Sequence, residues 1–93
     1  MSEYVRVEVE FSDDPLVADL YINQVLTEAG AEIYSNPQEG DLGSPIAQLL
    51  FTAVDGIQRL TIADDRLTIT REPEQAWEAI IDEVRDALRD WFL

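Results

Sequence analysis

The side chains that could do chemistry in this chain are nearly all carboxylates. Asp64 and Asp65 are neighbours, as are Asp13 and Asp14, and Glu78, Asp82, Asp86 and Asp90 recur at four-residue spacing. Paired carboxylates can hold a hard cation or share acid–base work. Successive residues in a turn or strand point apart, however, and no calcium-loop spacing surrounds either aspartate pair. Turn chemistry, which suits Asp, is the simpler reading of both. The hydroxyls of Ser12, Ser35 and Ser44 are candidate nucleophiles on paper, but a serine hydrolase needs an activating base, usually His, and the chain has no His. With no Cys there is no disulfide, thiolate ligand or thiol nucleophile. The glycines of Gly40-Asp41-Leu42-Gly43 lack the pattern and the Lys of a phosphate loop.

Glu78, Asp82, Asp86 and Asp90 fall on one side of a helix, with Arg85 and Arg89 interleaved. Like charges four residues apart cost a few tenths of a kcal/mol, roughly, per pair. A solvated face is the first reading of this row, and an acidic docking surface for a basic partner is the second. The whole chain has twenty acids against six arginines, and a net charge of −14. Such a surface repels nucleic acid and anionic membranes, so neither is an expected partner. It suits a basic protein or a salt-rich medium. Arg59, Arg66 and Arg71 lie around one hairpin, where pairing with nearby acids is expected.

These groups need a scaffold, and 93 residues make one domain, 1–93. The run YVRVEVEF alternates, with Val5, Val7, Val9 and Phe11 on one face of a half-buried strand. From Ser12 to Gly30 two readings compete. One is a helix with Leu16, Val17, Leu20, Tyr21 and Val25 at helical spacing, towards which local propensity leans; the other is a turn at Ser12–Pro15 followed by a strand. Residues 31–35 read as a short strand and 36–43 as a loop. Ser44 caps a short helix with Pro45 at its first position, and Gly56 supplies a left-handed stop. Residues 57–62 and 66–70 form a hairpin across Ala63, Asp64 and Asp65. A helix opens at Pro73 and Glu74, with Trp77, Ile80, Ile81, Val84, Leu88 and Trp91 as its apolar stripe. Trp77 and Trp91 are expected in the core, with an exposed apolar anchor at Trp91–Leu93 as the alternative. No apolar run approaches the roughly 20 residues of a membrane span, and the N-terminal stretch lacks the basic start and apolar block of a signal peptide. A cytoplasmic location is expected.

The run from Ser44 to Trp77 resembles the N-terminal domain of the NifU-like (Nfu) scaffold proteins. The resemblance rests on Ser44-Pro45-Ile46-Ala47, the Leu50-Phe51 pair, Gly56-Ile57, the alternation from Leu67 to Thr70, and Trp77-Glu78. It is weaker in the first half. There the family's Thr-Pro-Asn-Pro-Asn turn and Leu-Lys-Phe strand are reduced to Asp14, Pro15 and then Leu20, Tyr21, Ile22. The resemblance implies that this segment is a strand, against the local lean. In complete Nfu proteins cluster transfer belongs to a second domain with a Cys-x-x-Cys pair. No such pair occurs here, so only the companion domain, an interaction module, carries over.

The expected fold is α+β: a small, mostly antiparallel sheet of about four to five strands, packed against two helices on one face. Leu49, Leu50, Leu60, Ile62, Leu67, Ile69, Trp77, Ile81, Val84 and Leu88 are the expected core. The expected function is that of a non-enzymatic adaptor accessory to iron–sulfur cluster assembly or delivery, with no cofactor of its own. Its partner would be an Nfu-type carrier, a chaperone or an apo-target, held through Glu78, Asp82, Asp86 and Asp90. The alternative is an oxygen-ligated metal or small-ligand binder using Asp64, Asp65 and other surface carboxylates.

Overall fold

The computed structural model describes residues 5–27 and 30–92. Five strands form one sheet: β1 (Val7–Phe11), β2 (Val17–Ile22), β3 (Ala31–Tyr34), β4 (Ile57–Ala63) and β5 (Arg66–Arg71). Their order is β1-β2-β5-β4-β3, and every neighbouring pair is antiparallel. The described residues also form three helices: α1 (Pro37–Asp41) and α2 (Pro45–Ala53) between β3 and β4, and α3 (Trp77–Trp91) after β5. The α+β architecture expected from the sequence is the one observed.

Period-two alternation decides which face is covered. Ala18, Leu20 and Ile22 of β2, Leu60 and Ile62 of β4, and Leu67 and Ile69 of β5 are all buried. They share a single cluster with Ile46, Ala47 and Leu50 of α2 and Ile80, Val84, Ala87 and Leu88 of α3. The intervening residues, among them Asp19, Tyr21, Thr61, Thr68 and Thr70, make up the other face, which no helix among the described residues covers. Thr68 Oγ1 donates to Asp19 Oδ1 across two strands there, at 2.6 Å. Of the expected core, Leu49, Trp77 and Ile81 are only partly buried.

The segment after β1 is a strand, as the family resemblance implies and local propensity does not. Ser12 Oγ donates to the carbonyls of Asp14 and Val17, each at 2.9 Å, and Leu16 N donates to Asp14 Oδ1 at 2.9 Å. The turn closes a hairpin, and β2 then pairs with β1 on one side and β5 on the other. Two ladders outweigh the small helical preference of Leu16–Val25.

Three further expectations are corrected. The stretch read as a loop, 36–43, contains α1. Asn36 caps it by accepting from Glu39 N at 2.9 Å, with Pro37 in the first turn. Next, α3 begins at Trp77, not at Pro73. The carbonyls of Glu72, Pro73 and Gln75 are turned towards the Arg71 guanidinium instead, at 3.2, 3.1 and 2.8 Å. Finally, Trp91 is 43% exposed rather than in the core. Leu93 lies outside the described residues.

Candidate functional site

Helix α3 presents the acidic row. Its inner stripe seats Ile80, Val84 and Leu88 in the core, which turns Glu78, Asp82, Asp86 and Asp90 outward, all exposed. At about 1.5 Å per residue the row runs roughly 18 Å along the helix. Two of the four carboxylates already have partners on the same helix: Arg85 pairs with Asp82 at 3.4 Å, and Arg89 with Asp86 at 2.6 Å. Exposed pairs of this kind contribute about 0–1 kcal/mol, so they yield readily to a competing cation. Glu83, one turn from Asp86, points elsewhere: its Oε1 accepts from Asp55 N at 3.0 Å, tying α3 to the turn between α2 and β4.

Asp64 and Asp65 form the two-residue loop of the β4–β5 hairpin, with Ala63 and Arg66 as the closing pair. Asp64 has φ of 53°, a left-handed conformation that Asp tolerates better than most residues. Their backbone carbonyls accept from Leu26 N and Ile22 N, both at 2.7 Å, so the turn fastens the segment leaving β2. Among the described residues no group of three His, Cys, Asp or Glu side chains comes together as a metal-binding set. A shallow, open, mostly polar groove of about 330 Å³ lies beside this turn, lined by Arg6, Glu8, Tyr21, Ile22, Asn23 and Asp65.

Ser44 does more than cap. Its Oγ accepts from Ala47 N at 3.3 Å, with Pro45 at the first helical position as expected. Its N–H also donates to the Tyr34 hydroxyl at 3.2 Å, and that hydroxyl donates to Glu32 Oε1 at 2.6 Å. Partial burial raises the Glu32 carboxyl's pKa. Hydrogen bonds from Ser44, Thr27 and Tyr34 outweigh that effect, so the net pKa falls below the usual 4.5. This junction locks β3 to the start of α2. Gly56 is left-handed, at φ of 93°, but it sits in the turn entering β4 rather than directly after the helix. A side chain there would also strike Gln75.

A second junction was not foreseen. Arg71 Nε reaches Pro15 O at 3.2 Å, its guanidinium lies 5.7 Å from the Trp77 ring, and Trp77 Nε1 donates to the same Pro15 carbonyl at 2.8 Å. The expected pairing of Arg59, Arg66 and Arg71 with acids does not occur among the described residues. Arg71 is bound by carbonyls instead, and the two ion pairs among the described residues both belong to α3. A Trp at a helix start with an Arg six residues earlier was the available signal, but neither residue names its carbonyl partners.

These elements define a small α+β domain: an antiparallel sheet covered on one face, with a carboxylate row on its C-terminal helix. The chain belongs to the family described as the scaffold protein Nfu/NifU N-terminal domain, whose model matches residues 7–93. It is 23% identical over 86 residues to NifU-like protein 4, mitochondrial, from Arabidopsis thaliana; the match takes in 92% of this chain. The chain spans only 30% of that relative's length. Its fold superposes on the solution structure of a NifU-like protein from Saccharomyces cerevisiae with a TM-score of 0.77 at 21% identity, covering 96% of this chain and 79% of the yeast one. A crystal structure of a Staphylococcus aureus protein shares the fold with a TM-score of 0.69 at 10% identity, covering 89% and 98%.

Proposed function

We propose that this domain is a non-enzymatic docking module serving iron–sulfur cluster assembly or delivery. It positions a protein partner, and the cluster is cargo carried elsewhere. Membership of the Nfu/NifU N-terminal family over residues 7–93 is the observation that carries this reading. The chemistry agrees with it: a chain without Cys or His has no thiolate or imidazole with which to hold a cluster.

The partner chemistry is basic. Glu78, Asp82, Asp86 and Asp90 form a line of acids on a helix whose other side is anchored in the core, in a chain of net charge −14. Exchange of the exposed Arg85–Asp82 and Arg89–Asp86 pairs for a partner's Arg or Lys costs little. The long-range field accelerates encounter and loses that effect at high salt. An Nfu-type carrier, a chaperone or an apo-target with a basic face each fits.

Removal of the coding segment from the native host tests the proposal. The expected result is reduced activity of cluster-dependent enzymes, restored by the wild-type domain. It should not be restored by a variant in which Glu78→Gln, Asp82→Asn, Asp86→Asn and Asp90→Asn are combined. Full cluster-enzyme activity without the domain would overturn it.

A further inference from the structure

We infer that the free edge of β3 takes up an extended, basic segment of another protein as a sixth strand. This goes beyond the helix-borne docking proposed above and uses a different surface.

The two sheet edges are unlike. β1 closes one side with Val-Glu-Val-Glu-Phe; its uncovered face carries the charged Glu8 and Glu10 at alternate positions, as natural edge strands do, with no large apolar side chain between them for an added strand to pack on. β3 closes the other side and, among the described residues, pairs only with β4. It reads Ala-Glu-Ile-Tyr, with no Pro, and no register shift occurs in its pairing. Its one charge, Glu32, is held by Tyr34, Ser44 and Thr27. Ala31 and Ile33, on the uncovered face, are exposed, Ile33 to 70%. The edge thus offers a row of backbone donors and acceptors beside a large apolar side chain, which is what strand addition needs.

Charge selects the occupant. All six arginines lie at positions 6, 59, 66, 71, 85 and 89, so β3, α1 and α2 contain none. α1 packs against β3 and carries Glu39 and Asp41, both exposed. A second copy of this chain would bring a like-charged rim, and a net charge of −14, against the same edge. A strand with Arg or Lys alternating with apolar residues satisfies both features: its apolar side chains lie beside Ile33 and its basic ones meet the α1 carboxylates. Four residues of pairing span about 13 Å, so the attachment is short.

The probe is an eight-residue peptide alternating arginine and valine. Its control is the same peptide N-methylated at alternate residues, which keeps every charge and side chain but removes backbone donors. Amide exchange and chemical-shift mapping on the labelled domain are expected to show saturable binding, with new protection confined to Ala31–Tyr34. The N-methylated peptide is expected to bind about tenfold more weakly, the loss of roughly one good hydrogen bond. The variant neutralised at Glu78, Asp82, Asp86 and Asp90 is expected to bind the peptide at β3 as the wild type does, so the edge and the helix are tested separately. Equal binding of the two peptides, protection at β1 instead, or a peptide-independent dimer protected at β3 would each overturn the inference.

Discussion

Removing the Arg71 side chain tests how the sheet is tied to α3. Arg71→Ala deletes contacts to four carbonyls, those of Pro15, Glu72, Pro73 and Gln75, at 2.8–3.2 Å, and the stack on Trp77. Hydrogen bonds from a charged donor contribute about 1.5–3 kcal/mol each, and a cation over a half-buried indole such as Trp77 about 1 kcal/mol. These do not add. Nη1 has two hydrogens for three carbonyls, and those of Pro15, Glu72 and Pro73 are on exposed residues and rehydrate. About 2 kcal/mol remains, which in a domain this small lowers Tm by roughly 8–16 °C. Urea unfolding followed by circular dichroism measures it, with an unchanged m-value showing that the loss is in stability. Arg71→Lys keeps the charge but lacks the planar fork, so it recovers less than half. Because the partners are carbonyls, the deficit persists in 1 M salt, where exposed ion pairs are screened. A deficit that vanishes in salt, or full recovery by Lys, would refute the carbonyl clamp and leave simple charge balance.

Three further substitutions follow from the geometry. Glu32 has a folded pKa below its ordinary 4.5, so its stabilisation is complete above that pH and lost as pH falls through the lower folded value; the stability gap between wild type and Glu32→Gln is expected to hold from pH 7 to about 4.5 and close below, and a gap that widens in acid would contradict the Ser44–Thr27–Tyr34 cradle. Gly40→Ala puts a methyl into the Phe51 ring and is expected to cost about 1–3 kcal/mol by thermal unfolding, against the roughly 0.5–1 kcal/mol gain that Ala gives in an open helix; Phe51→Leu in the same chain should recover part of the loss. Asp64→Gly relieves a left-handed residue at φ of 53° and is expected to gain about 0.5–1 kcal/mol in chemical unfolding, whereas a loss would show that the Asp64 side chain, not only its carbonyl, holds the turn.

Local signals served best where cap and turn chemistry repeat known patterns. Ser44-Pro45 announced α2, and the alternation around Asp64-Asp65 announced the β4–β5 hairpin. Asn36-Pro37 is the same cap-and-proline pair, yet the stretch reads as a loop because Gly40 and the five-residue length of α1 hide it. Gly40 is there for closeness to Phe51, a tertiary reason invisible in sequence. β2 needed the family resemblance, since its ladders come from β1 and from β5, some fifty residues away. The start of α3 at Trp77 rather than Pro73 is not legible locally, because Arg71, a tertiary partner, takes the carbonyls of the preceding turn. The acidic row was legible from its spacing alone, but its internal pairs with Arg85 and Arg89 were not, and neither was the contrast between the guarded β1 edge and the open β3 edge.

Docking in cluster assembly is tested most directly by comparing what the domain and its α3-neutralised variant retain from lysate of the native host. Each is immobilised and washed at low and at high salt, and the retained proteins are identified by mass spectrometry. The expected result is enrichment of cluster-assembly proteins by the wild-type domain, lost both in high salt and with Glu78, Asp82, Asp86 and Asp90 neutralised. Equal retention by the two folded domains, or no cluster-assembly protein on either, would contradict it.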